Sequence, residues 1–150
     1  MAYLDRARDS ALEQAVAERY GKGLSFDRGA IAFIAYGTKS TQALGQGERA
    51  GVLYSFKEAF GRLPTSTVDW SDVIQISTNN LPSQRSAQAE QKAKSTGAEN
   101  DQSVMMIAYG LRPLKRDMGL EQKGLVNFVR TYGRLPSFTF DWNILRSFVY

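Results

Sequence analysis

A chain of 150 residues with 43% hydrophobic content can bury one sizeable core, and a charged fraction of 23% with no long single-sign run argues against global disorder. It has neither cysteine nor histidine. That excludes disulfides, thiolate and imidazole metal sites, and the Ser-His-Asp and Cys-His triads. The net charge of +4 is confined to the C-terminal third: residues 1–103 hold 12 basic and 12 acidic residues, and residues 104–150 hold 7 and 3.

Met1 to Asp9 are charged and contain no apolar h-region, so they do not read as a signal peptide. The longest apolar run, Ala30 to Tyr36, is too short to cross a bilayer. A first hairpin is predicted over about 3–37, with Gly21 closing its first helix. Its second helix, within DRGAIAFIAY from Asp27 to Tyr36, is apolar almost all round from Ala30 to Tyr36, the mark of a helix at the centre of a core. Gly45 to Gly51 (GQGERAG) is rich in glycine but follows no strand and lacks a phosphate-loop spacing, so it reads as the loop into the next helix.

The second hairpin is predicted over about 46–79. Val52, Leu53, Phe56 and Phe60 make one apolar stripe at helical period. Gly61 then closes the helix in a left-handed conformation, and Pro64 forces Leu63 into an extended step. Ser66 to Asp69 fits a capping box, after which Trp70, Val73 and Ile74 share a face. Asp69 reads as a cap and Asp72 as a surface charge. A third hairpin over about 84–110 starts with an alanine-only helix near Ser86 to Ser95 and ends in a second all-apolar helix, Val104 to Tyr109.

The fourth hairpin, over about 119–150, repeats the second. Residues 47–76 align without gaps on 119–148, and ten of the thirty pairs are identical, including Gly-Arg-Leu-Pro and Asp-Trp. The pattern predicts an all-α fold of four degenerate tandem helix-turn-helix repeats, packed as one bundle or short solenoid. Its expected anchors are Phe56, Phe60, Gly61, Leu63, Pro64 and Trp70, with Phe128, Tyr132, Gly133, Leu135, Pro136 and Trp142 as their counterparts. Both tryptophans are expected in the core. Arg62 and Arg134 are expected to face the helix C-terminal dipole.

Two surface features remain. Phe148, Val149 and Tyr150 end the chain on an apolar note and form a candidate interface. Arg112, Lys115, Arg116, Lys123, Arg130, Arg134 and Arg146 form a candidate patch for anions or nucleic acid. No residue spacing suggests a catalytic, cofactor or metal site.

The aromatic-Gly-Arg-Leu-Pro turn with its downstream Asp-Trp, and the Ile107-Ala-Tyr-Gly110 helix end, resemble tandem helical-hairpin repeats of bacterial proteins of the exported or surface class. The resemblance covers most of the chain and implies an extracellular or cell-surface location. Gly61 to Thr65 and Gly133 to Ser137 are also similar to the Gly-x-x-Pro-(Ser/Thr) repeats found beside homing endonucleases, which bind DNA; the closing Phe-Gly-Ser-Trp of those repeats is missing here. The leading expectation is a non-catalytic structural or protein-interaction module that self-assembles. The alternative is a nucleic-acid-binding repeat that uses the basic C-terminal helices.

Overall fold

A computed structural model describes residues 8–150. Among them the chain forms eight α-helices and no strand: α1 (Ser10–Tyr20), α2 (Arg28–Tyr36), α3 (Gln46–Phe60), α4 (Thr67–Ser77), α5 (Ala87–Lys94), α6 (Asp101–Tyr109), α7 (Met118–Tyr132) and α8 (Thr139–Ser147). The part of the predicted first hairpin before Arg8 lies outside the described residues.

Local chemistry sets the boundaries. Asp9, Asp27, Ser66, Ser86, Asn100 and Asp117 each stand at an N-cap, and each side chain accepts the backbone N–H three residues on. Gly61, Gly110 and Gly133 close α3, α6 and α7 at φ 73°, 67° and 70°. Gly21 departs from this scheme with φ −65°. There the chain leaves α1 through a 3-10 turn at Lys22–Leu24, and Ser25 and Phe26 take the left-handed positions instead.

Each odd-numbered helix packs on the even-numbered helix that follows it; α2 also packs on α3, α3 on α6, and α6 on α8. The hub is α3, which touches α2, α4, α5, α6 and α8. The core is α2 from Ala30 to Tyr36, α6 from Met106 to Tyr109, and Val52, Leu53 and Phe56 of α3. Fully burying a side chain such as Phe33 or Phe56 contributes roughly 2–3 kcal/mol. The two helices that read as apolar all round are indeed buried on nearly every side.

The expected anchors divide by hairpin. Phe56 and Phe128 are fully buried, Pro64 is buried, and Phe60, Leu63 and Trp70 pack against the core, with Trp70 5.8 Å from the Phe33 ring. Pro136 is half-buried, whereas Tyr132, Leu135 and Trp142 are 36%, 67% and 43% exposed. Trp142 is therefore not a core anchor. Neighbours cause the difference: Phe60 stacks on Tyr109 of the following helix pair at 6.0 Å, and no ring of another pair stacks on Tyr132 among the described residues.

Asp72 is also corrected, because it is buried and not a surface charge. It accepts the N–H groups of Ser83 and Gln84 and both of their side chains, which pins the link into α5. Arg49 is buried too. Its Nε and Nη2 donate to the Ile34 carbonyl at 3.0 and 2.7 Å, and its Nη1 donates to the carbonyls of Thr41 and Leu44, so one guanidinium satisfies the end of α2 and the loop after it.

The glycines give a clean test of the packing. A Cβ at Gly110 would overlap Ser55 and come within 3.0 Å of Asn143, whereas a Cβ at Gly133 would meet nothing within 4 Å. Both have positive φ, so each alanine costs about 1–2 kcal/mol for the left-handed conformation. Gly110→Ala adds an overpacking cost of about 1–3 kcal/mol. Urea denaturation should rank Gly110→Ala well below Gly133→Ala in stability; equal midpoints would contradict the close approach of α3, α6 and α8.

Candidate functional site

Three of the four helix pairs are fastened at one end by the same triad. Tyr109, the last residue of α6, accepts the Ser86 N–H at 2.8 Å and donates to Glu90, which holds Arg85 in a two-pronged ion pair. Tyr36 does the same with Asp9, Glu13 and Arg8. Tyr150 does so with Asp117, Glu121 and Arg116. Each tyrosine, at the end of its second helix or, for Tyr150, three residues past it, thus reaches the N-cap of the first. Its oxygen satisfies one N–H, and its proton goes to a carboxylate. Arg116 holds Glu121 below the usual carboxylate range against the opposing effect of burial, and Tyr150 lowers it further.

A second fastening marks the Gly-Arg-Leu-Pro turns. Arg134 pairs with Asp141 through both guanidinium arms, at 2.7 and 3.0 Å, and Arg62 pairs with Asp69 at 2.7 Å. These arginines bind carboxylates at the start of the next helix, which replaces the expected dipole role. Each guanidinium also lies over a ring of the preceding helix, Arg134 over Phe128 and Arg62 over Phe56. Arg134, against the cost of burial and with the N–H groups of Ser137 and Phe138, holds Asp141 at about 2. At Asp69, burial works in the raising direction; Gln84, the N–H groups of Thr65 and Ser66, and Arg62 overcome it and bring the group to about 2.

The third arrangement is a cleft of about 390 Å³ between α3 and the α7–α8 pair. Its floor is basic and buried. Arg112, which follows α6 and whose N–H donates to the Ile76 carbonyl, is 3% exposed, and Arg146 of α8 is 8% exposed. Glu48 of α3 lies 3.6 Å from Arg112 Nε and 3.4 Å from Arg116 Nη1. Arg146 donates to Asn143 at 2.6 Å. Arg112 Nε and Nη1 and Arg146 Nε are buried with no hydrogen-bond acceptor in the protein. Three guanidinium groups thus face two carboxylates, Glu48 and Glu121. Burial, then the neighbouring Arg112, pushes Arg146 down to about 9, which still leaves it charged at neutral pH.

The walls are set by α3 and the start of α8. Gly47 and Gly51 line the α3 side, and Trp142, Phe138, Ser137 and Thr139 line the other. Any Cβ at Gly51 would fall on Arg112 Nη2. The glycine-rich stretch is therefore not only a connector: Gly45 is the N-cap, Gly47 and Gly51 lie inside α3, and Gly51 leaves room for a buried cation.

The predicted basic patch is split by the fold. Arg112, Arg116 and Arg146 converge on the cleft, Arg134 is committed to Asp141, and Lys115, Lys123 and Arg130 are exposed elsewhere. Of the expected terminal interface, Phe148 is 39% exposed, Val149 is half-buried, and the Tyr150 hydroxyl is engaged in its triad. Among the described residues no acidic cluster is placed to hold a metal ion, and no helix is long and apolar enough to cross a membrane. The fold and cleft define a class, an all-helical protein of fastened helix pairs with a buried arginine cleft. Comparison with family models, curated proteins and solved structures gave no match.

The aspartate fastenings carry a pH dependence whose sign follows from their lowered folded values. Their stabilisation is complete above the ordinary Asp value near 4 and is lost as pH falls through about 2. Denaturation curves taken between pH 6 and 2 should show stability falling in the acid limb, and Asp141→Asn should make that fall shallower. Parallel curves for the two proteins would contradict the assignment.

Proposed function

We propose that the chain is a non-catalytic module of four degenerate tandem helical hairpins that does structural or protein-interaction work by associating with copies of itself. The uncovered face of α7 and its turn carries this reading. Met118, Val126, Val129, Tyr132 and Leu135 are exposed, and on α7 the first four fall along one stripe at helical period. A contiguous exposed apolar surface marks an interaction site. Phe60 and Leu63, the counterparts of Tyr132 and Leu135, are covered by the core in the second hairpin.

The occupant is a second copy, seating its α1 on α7 as α5 seats on α3. The segments that open α1 and α5 are alike, RDSALEQ and RSAQAEQ. Within one chain, Lys92 of α5 meets Glu58 of α3 at 2.8 Å. On α7 the place of Glu58 is taken by Arg130, and on α1 the place of Lys92 is taken by Ala15, with Glu18 one turn further on. Glu18 is then the α1 carboxylate available to Arg130. Such a contact joins unlike surfaces, so it generates rings or filaments. The resemblance to exported bacterial hairpin repeats supports a cell-surface setting.

Light scattering across concentration tests this. The apparent mass should rise with concentration, and Leu135→Glu, at a position 67% exposed, should fold normally but need at least ten times more protein to associate. A mass that stays monomeric at the highest concentration overturns the proposal. Titration with duplex DNA tests the alternative: a steep salt slope would replace self-association with nucleic-acid binding.

A further inference from the structure

We infer that the cleft between α3 and α8 binds a small organic oxyanion, a carboxylate or phosphate carried on a flat apolar body. Arg112 and Arg146 are each more than nine-tenths buried, and between them leave three N–H-bearing atoms without an acceptor. A buried donor left unpaired is costly, and one that carries charge is costlier still. Like charges crowd them further: after burial itself, Arg112 lowers the proton affinity of Arg146, and Arg116 lowers that of Arg112. Glu48 offsets part of the charge, but its 3.6 Å approach to Arg112 is beyond hydrogen-bond reach, so the buried N–H groups stay unpaired. An oxyanion supplies several acceptor lone pairs in the geometry a guanidinium fork matches, together with the missing negative charge.

The rest of the cleft describes the body of that ligand. At about 390 Å³ it is large enough for a small organic molecule and larger than a bare phosphate needs. Trp142 and Phe138 stand at its rim, 43% and 68% exposed, and offer ring faces for stacking. The opposite wall carries Gly47 and Gly51, and the space a side chain at Gly51 would take is filled by the Arg112 guanidinium, which lies against α3. The exposure of Trp142, which its counterpart Trp70 does not share, has a use on this reading. It makes the open side of the cleft.

Isothermal titration of the full chain with phenyl phosphate, benzoate and inorganic phosphate, at ionic strength matched with chloride, tests the site. One of the two aromatic anions should bind saturably at one per chain, at least ten-fold more tightly than inorganic phosphate, and should raise the unfolding temperature. Preference for benzoate assigns a carboxylate ligand, and preference for phenyl phosphate assigns a phosphate ester. Arg146→Met should lose at least ten-fold in affinity, because it removes one of the two buried guanidinium groups that would hold the anion. If Arg146→Met does not fold, Trp142→Ala at the exposed rim carries the test and should abolish the preference over inorganic phosphate. No binding beyond chloride, or unchanged binding in a folded Arg146→Met, overturns the inference.

Discussion

A pair of short helices leaves backbone donors and acceptors unpaired at its ends, and this chain meets that constraint with side chains that reach from one helix to the other. The tyrosine–carboxylate–arginine triads at Tyr36, Tyr109 and Tyr150 join the last residue region of a second helix to the N-cap of the first. The arginine–aspartate pairs at Arg62 and Arg134 fasten the opposite, turn end. Alanine-rich α5, which has little apolar surface of its own, is held by Ser86, Glu90 and Arg85 at one end and by Lys92 on Glu58 along its side. Without these contacts an eight-residue helix of this composition would be marginal in water.

The second hairpin lacks the triad, and the consequences spread through the molecule. Arg49 occupies the position of Glu121, and Thr78 occupies that of Tyr150. Arg49 turns inward to the carbonyls at the end of α2, so α3 is tied to the preceding helix pair. On its other flank, Ser55 accepts from Asn143 of α8, and Asn143 also donates to the Ile107 carbonyl. The hub helix is therefore bound on both sides by polar contacts within an apolar core. The cleft forms where this seam opens toward Arg112 and Arg146.

Much of the fold was legible because its signals are local. A Gly-x-x-Pro turn and an oxygen at an N-cap act within four residues, so α3 ends before Gly61, and α4 and α5 begin after Ser66 and Ser86, where spacing places them. The triads were not legible, although RDSALEQ, RSAQAEQ and RDMGLEQ share arginine, a capping oxygen and Glu-Gln. The tyrosines follow their arginines at unequal distances, since the loops between differ in length, and an ungapped comparison passes over them. Burial was the other gap. Trp70 and Trp142 are equivalent in sequence, yet one lies against Phe33 and the other at the rim of a cleft. Asp72 follows exposed Ser71, and it is the returning chain at Ser83 and Gln84 that supplies the donors for its buried carboxylate. Which residues a fold covers is decided by what packs next to each hairpin.

The triad is the part of the account on which the rest depends, and a double-mutant cycle measures it directly. Stability would be determined for Glu90→Gln, Tyr109→Phe and the double variant, with the matching set at Glu121 and Tyr150. The account predicts coupling of about 0.5–3 kcal/mol at both places, because hydroxyl and carboxylate act as one unit. Additive effects at both would contradict it, and would mean that the helix pairs are held by their apolar faces alone.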